Sequence, residues 1–410
     1  MNILVVGNRI PWPLHDGGAL ATYRMLESLS LAGNTVTYFS YNTRKHHVPK
    51  SSIEENISFC EVIPFDLNAE IRPWDAFKNL FSKGSYFLER YFNEEASVYL
   101  SALIEERNFD LIQIEGLYSF PIFAKSISFW GEIYTSSLKD LQNKGLPLVY
   151  RAHNVEHEIW SRLAQNESNW LKRAYLRIQS KRLKKEEESL IESVDAVVGI
   201  SQNDCAFFEK FKTPRVHMFL PSVKTPLKVD IKIQPESIFH IGSMEWDANV
   251  QGIQWFLSKV WPKVKSAHPN LSFHVAGKGI SKHENLFFQT GVHNHGEVPN
   301  AQEFMRNYGI SIIPLLAGSG IRMKIIEAMS LGVPCVATDI AVQGLPISKQ
   351  DDCIAIANDA EQFAEALNDL LNNRKKAIQM AKNAHQYCLK QHSAVKNMEA
   401  LLSFYNQLMR

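Results

Sequence analysis

The run Ile312-Ile313-Pro314-Leu315-Leu316-Ala317-Gly318-Ser319-Gly320-Ile321-Arg322-Met323-Lys324-Ile325-Ile326-Glu327-Ala328-Met329 concentrates the residue types that hold a phosphate. It reads as a buried strand, a glycine-rich turn and the first turns of a helix. Gly318 and Gly320 let backbone amides come close to a ligand. The helix start adds free N–H donors and a positive dipole end. Arg322 and Lys324 put two cations in that first turn, where a structural helix prefers acids. A bound diphosphate gives them a reason, with Arg as a fork donor and Lys as a point charge. Glu327, just inside the helix, is placed to accept from a ribose hydroxyl. The competing reading is a plain connection with two solvated cations.

The elements around this run repeat a strand–helix pattern. Asn2 to Gly7 is an apolar strand, followed by a loop with Pro11, Pro13, Gly17 and Gly18, a helix from about 19 to 32 and a strand from Thr35 to Tyr41. This opening is Rossmann-like, and the absence of Gly-x-Gly-x-x-Gly gives dinucleotide binding little support. A strand over 109–116 ends in Glu115. Carboxyl ends of such strands face the ligand crevice, so Glu115 is either an acceptor contact or a satisfied structural carboxylate. Leu146 to Tyr150 is a strand running into Arg151-Ala152-His153-Asn154-Val155-Glu156-His157. His-x-x-Glu-His matches a zinc motif formally, but that chemistry needs both histidines on one continuous helix and a third ligand. A neutral histidine at a strand end can instead hydrogen-bond a polar ligand, or cap the helix together with Asn154. Arg151 and Asn154 flank it and join Glu115 as acceptor-side candidates.

Two basic segments have no assigned chemistry. Residues 72–92 interleave seven aromatics with Arg72, Lys78, Lys83 and Arg90. Helical core packing with solvated cations is the expected reading, and an acceptor or membrane-surface patch the alternative. Residues 171–188 form a charged helix with a partial apolar stripe of Leu171, Tyr175, Ile178 and Leu183. It is read as a solvated face, with contact to an anionic membrane surface as the alternative. A second strand–helix series starts at Ser237. His293 and His295 could share a strand face as metal ligands, but no acidic or Cys partner is evident, so they are read as surface histidines.

At 410 residues the chain is long enough for two domains with separate cores. A hydrophobic content of 45% with 21% charged residues fits a soluble globular protein. The net charge of +1 argues against a whole-chain nucleic-acid binder. No apolar run reaches the roughly 18 residues of a membrane span, and the N-terminus lacks the basic region of a signal peptide. Five dispersed cysteines read as reduced thiols in a cytosolic protein.

The run from Pro314 to Met329, followed by Gly332-Val333-Pro334-Cys335-Val336-Ala337-Thr338, resembles the signature of family-4 retaining glycosyltransferases. That family usually carries Glu-x7-Glu here. The second Glu is Glu327, and the place of the first is taken by Ser319. The Arg and Lys that the family usually has after the first strand of this domain fall at Ser243 and Asn249. Arg322 and Lys324 are inferred to supply those cations, in a branch with Gly-Ser-Gly-Ile-Arg-x-Lys.

The resemblance implies an α/β chain with the GT-B fold, two facing Rossmann-like domains with a central cleft. Residues 1–225 would be the acceptor-side domain, 226–236 a linker, 237–385 the nucleotide-sugar-binding domain, and 386–410 a terminal helix crossing back. It implies a retaining, hexosyltransferase-type enzyme that moves a sugar from a UDP- or GDP-linked donor to a saccharide, lipid-linked or other hydroxyl acceptor, without metal or other cofactor, in surface polysaccharide or glycoconjugate synthesis. His153, Arg322 and Lys324 would be catalytic. The donor would meet Gly17, Gly18, Gly242, Ser243, Val298, Ser319, Gly320, Ile321 and Glu327, with the nucleobase on backbone groups near Val298. The expected location is cytoplasmic, with peripheral contact at the inner membrane surface admitted and nucleic acid not expected. The rivals are a GT-B sugar-nucleotide epimerase, which would need Glu115 as an acid–base group, and a non-catalytic nucleotide-sugar-binding scaffold.

Overall fold

The computed structural model describes residues 1–14, 17–124, 135–212, 214–223, 225–231, 233–318 and 320–409. Contacts divide the chain into two units, Met1–Phe219 with the segment from Met398 onward, and Leu220–Asn397.

The first unit is built on a seven-stranded sheet. Its strands are β1 (Asn2–Gly7), β2 (Thr35–Thr43), β3 (Glu61–Leu67), β4 (Leu111–Glu115), β5 (Leu148–Ala152), β6 (Ala196–Gly199) and β7 (Arg215–Met218), in the order β3-β2-β1-β4-β5-β6-β7. Every pairing is parallel. A parallel sheet covered on both faces needs apolar residues on both, which is why β1 reads as an unbroken apolar run. Leu4 and Val6 enter one cluster with Phe39, Ile112 and Tyr150. Ile3 and Val5 enter the other with Met25, Leu26, Val149, Met398, Leu401 and Tyr405. The helix Ala394–Leu408 is thereby part of the cover of this sheet. The helix Gly17–Leu31 starts at the paired glycines, two residues before the start expected from the sequence pattern.

The second unit repeats the plan with six parallel strands: β8 (Ser237–Ile241), β9 (Ser272–Ala276), β10 (Val292–Asn294), β11 (Ile310–Ile313), β12 (Cys335–Ala337) and β13 (Ala355–Ile356), in the order β10-β9-β8-β11-β12-β13. Again the strands are buried on both faces, Ile238, Phe273 and Ile312 in one cluster and Phe239, Ala276 and Ile313 in another.

Two expectations are corrected. Of the aromatics over 72–92, Tyr86 and Phe87 are buried, but Trp74, Phe77 and Phe81 stand in solvent. The helix Trp170–Glu192 buries only part of the stripe proposed for it, Leu183 with Tyr175 packed against the same core. Leu176, Leu183, Leu190 and Ile191 face the core, while Leu171 and Ile178 are exposed. Its acids are not a solvated face either, since Glu186 and Glu187 are buried. Glu187 accepts from the backbone amides of Glu156 and His157 at 2.9 and 3.0 Å, so it caps the start of the helix Glu156–Asn166.

Candidate functional site

In the second unit the cations sit where strand ends meet a helix start. β11 ends at Ile313, and the helix Met323–Ser330 begins ten residues on, with Arg322 at its N-cap in extended backbone. Arg322 therefore lies just outside the helix and Lys324 inside its first turn. Gly318 has φ +128°, a region that favours glycine, and a Cβ there would collide with the Arg322 guanidinium. Gly320 lies between the two, and Ile321 packs against the core of this unit, as does Val298. Ser319 lies outside the described residues.

Lys324 reaches back to the end of β8. Its Nζ donates to Asn249 Oδ1 at 3.0 Å and lies 3.4 Å from His240 Nε2. Asn249 Nδ2 in turn donates to Ser243 O at 2.7 Å. A Cβ on Gly242 would stand 2.5 Å from Lys324 Nζ. The ammonium thus lies at the Gly242-to-Asn249 turn, which has no Lys or Arg of its own. His240 is fully buried, and its Nδ1 lies 2.9 Å from Ile312 O. A carbonyl only accepts, so Nδ1 carries the proton and Nε2 offers its lone pair to Lys324. Burial, then the Lys324 charge, holds His240 well below the usual histidine range. Burial and the Arg322 charge bring Lys324 down to about 7. Arg322 is lowered by burial as well. A partly buried pair of cations with depressed pKa values is poised to gain from an anion. Glu327 lies on the same helix, partly buried.

The first unit holds the second group. Parallel register sets Glu115 of β4 opposite Arg151 of β5, and the two form a buried ion pair through Arg151 Nη1 and Glu115 Oε1. Residues two apart share a strand face, so Gln113 reaches Glu115 Oε2 at 2.8 Å. His153, two past Arg151, reaches Oε1 at 2.7 Å. Thr22 Oγ1 adds a third donor to Oε1 at 3.1 Å, and Tyr405 Oη donates to Gln113 Oε1 at 2.6 Å. Burial works against the Glu115 charge, but Arg151 and His153 outweigh it and hold the carboxyl down at about 2. Glu115 is therefore the satisfied carboxylate, and Arg151 spends its charge on it. His153 and Asn154 are partly exposed beside them. Because a carboxylate only accepts, His153 Nε2 donates to Glu115 and Nδ1 is left for another partner.

The His-x-x-Glu-His run does not build the zinc arrangement. His153 precedes the helix that starts at Glu156, and His157 turns to Glu187, with Nδ1 2.7 Å from Oε2. His295 and His274 contact each other at 2.9 Å, and His293 stacks on His274. Gly17 and Gly18 open the first helix.

Sequence reasoning missed His240, Thr22, Gln113 and Tyr405. The one available signal for His240 was a histidine interrupting an apolar strand next to its carboxyl end.

Residues 235–373 match the family described as Glycosyl transferases group 1. A Klebsiella pneumoniae chain described as an uncharacterized 44.6 kDa protein in cps region is 24% identical over 409 residues, covering 96% of this chain and 97% of its own. Anabaena HepE, solved in complex with UDP, superposes with a TM-score of 0.65 at 13% identity, over 99% of this chain and 100% of its own. WaaG, described as a glycosyltransferase involved in lipopolysaccharide biosynthesis, does so with a TM-score of 0.60 at 16% identity, over 98% of both chains. The fold is GT-B, two Rossmann-like units each built on a parallel sheet. The segment that matches the glycosyltransferase family is the one carrying the cation cluster.

Proposed function

We propose that this chain is a retaining, metal-independent, hexosyltransferase-type glycosyltransferase of family 4, moving a sugar from a UDP- or GDP-linked donor to a saccharide or lipid-linked acceptor in surface polysaccharide synthesis. The observation that carries the reading is the delivery of Lys324 to the Gly242-to-Asn249 turn, with Arg322 against Gly318 at the same helix start. Two cations on rigid elements suit a departing diphosphate, whose charge grows as the glycosidic bond breaks. Glu327 is assigned to the ribose, Val298 and its neighbours to the base and the Gly320 amide to the donor sugar, and in the first unit His153 Nδ1 is offered to a sugar hydroxyl. No side-chain base is needed, because the leaving phosphate oxygen takes the acceptor proton on the same face.

UDP in HepE and the lipopolysaccharide role of WaaG, together with the family match over 235–373, favour this donor and product class. The epimerase alternative needs an acid–base carboxyl, and Glu115, held ionised with its oxygens occupied, is a poor one. The test is incubation with UDP- and GDP-sugars with and without an acceptor panel, reading the product anomer by NMR. Transfer with retained configuration is expected. Conversion of donor alone would point to the epimerase, and tight binding without turnover to the scaffold.

A further inference from the structure

The described part of the first unit presents three large aromatic side chains to solvent within eight residues. Trp74, Phe77 and Phe81 are 64%, 51% and 70% exposed, and Ile71 beside them 61%. Trp74 and Phe77 stack at 5.7 Å, and Phe77 meets Phe81 edge-on at 5.7 Å, so they form one surface. Contiguous exposed apolar surface marks a contact site more often than an accident.

A buried polar knot holds this segment in place. Asn79 Nδ2 donates to Glu89 Oε2 at 2.6 Å, Gln179 Nε2 to Asn79 Oδ1 at 2.7 Å, and Arg182 Nη2 to Leu80 O at 2.9 Å. Phe87, six residues after Phe81, stacks on Trp160 in the core. The chain thus sorts its aromatics, anchoring Phe87 inward and turning Trp74, Phe77 and Phe81 outward.

The same knot joins the segment to the helix Trp170–Glu192. From 170 to 185 that helix has seven cations and no acid. Lys181, Lys184 and Lys185 are exposed near the junction, and Arg72, Lys78 and Lys83 are exposed around the aromatics. Ile178 is exposed on the helix beside them.

We propose that Trp74, Phe77 and Phe81, ringed by Arg72, Lys78, Lys83 and the lysines of the 170–192 helix, form a docking face for an anionic lipid surface. The rings enter the headgroup level, where amphipathic aromatics are favoured, and the long basic side chains reach lipid phosphates while their stems cover apolar area. A second copy is the weaker occupant. A two-fold contact sets a patch against itself, and here that would bring cations onto cations.

The full-length protein is sedimented with vesicles of phosphatidylcholine alone and of phosphatidylcholine mixed with phosphatidylglycerol. Binding is expected only to the mixed vesicles and weakens as salt is raised. A Phe77→Ser/Phe81→Ser variant loses about tenfold in vesicle partition. A Lys181→Glu/Lys184→Glu variant, altered only at exposed positions, loses a similar factor. Both keep the wild-type thermal midpoint and response to nucleotide, a readout separate from the donor site. Equal binding to neutral vesicles, no binding to either, or undiminished binding by both variants overturns the proposal. A lipid-free dimer in light scattering that Phe77→Ser/Phe81→Ser dissolves also overturns it and assigns the face to a second copy.

Discussion

Lys324 is the residue whose charge matters most to the proposed chemistry. Its two hydrogen-bond partners, Asn249 and His240, are neutral, and burial with the Arg322 charge holds its pKa at about 7. A diphosphate beside it favours the charged form, so binding raises that pKa and takes up a proton when the free protein lacks it. The sign follows. Below pH 7 the ammonium is already charged and affinity is flat; above pH 7 affinity falls as pH rises. A nucleotide-sugar, whose diphosphate does not titrate in this range, should bind about tenfold more weakly at pH 8 than at pH 6. Calorimetry in buffers of different ionisation enthalpy should show proton uptake only on the alkaline side, and a flat affinity across that range would remove Lys324 from the phosphate site. Glu115 makes the contrasting case. Removing it as Glu115→Ala leaves Arg151 buried without its charge partner, which should cost about 3–5 kcal/mol in denaturant unfolding. A loss below about 1 kcal/mol would mean that water or His153 relieves the arginine. Much at this scale was legible in advance. Gly318, Arg322, Lys324 and Glu327 lie within ten residues and announce themselves by type and spacing. His240 did not, because its partners Ile312 and Lys324 lie 72 and 84 residues away and no local period marks it.

Among the elements, the helix Trp170–Glu192 departs most from its sequence. Its charge run suggested a solvated face, yet Glu186 and Glu187 are inside, capping other segments, while Leu171 and Ile178 are outside. Hydrophobic period predicts a face only when apolar residues do the packing. Here buried carboxylates accept from backbone amides of Ser85, Glu156 and His157, and a pattern search scores those positions as polar surface. The burial has a thermodynamic signature. Glu186 is pushed up to about 8, chiefly by burial, against an ordinary 4.5. A raised carboxyl contributes its stability in full below the unfolded value of 4.5 and loses it as pH rises through 8. Glu186→Gln keeps an acceptor for the Ser85 amide, 3.1 Å away in the native protein, and removes the charging step. It should therefore raise stability at pH 8 by at least about 1 kcal/mol and flatten the decline between pH 6 and 8. Thermal unfolding at both pH values checks this, and a variant less stable than wild type at pH 8 would show that Glu186 is held as a charged cap.

At the scale of the whole molecule, the repeated strand–helix pattern carried the fold. An apolar run such as residues 3–6, followed by a helical period and a second apolar strand, fits a strand buried on both faces of a parallel sheet. Finer boundaries were not readable, since a proline-rich stretch near 226 looks like a linker although contacts assign it to the second unit. The proposed donor residues Arg322, Lys324, Gly242 and Val298 all belong to that unit, which fixes where ligand stabilisation must appear. A nucleotide at a hundred times its Kd should stabilise the unit that binds it by about 2.7 kcal/mol. For a unit of 150–250 residues this amounts to an upward shift of about 5–10 °C. Thermal unfolding with UDP, GDP, ADP, CMP and their common sugars should show that shift for one base. Arg322→Ala should abolish it and lower kcat/KM by about 3 kcal/mol of transition-state binding. If two transitions are resolved, only that of Leu220–Asn397 should move, and a shift confined to the other would transfer the nucleotide to the Glu115–Arg151–His153 unit. If no nucleotide moves either, the cation pair of Arg322 and Lys324 serves some other anion, and the glycosyltransferase reading loses the observation that carries it.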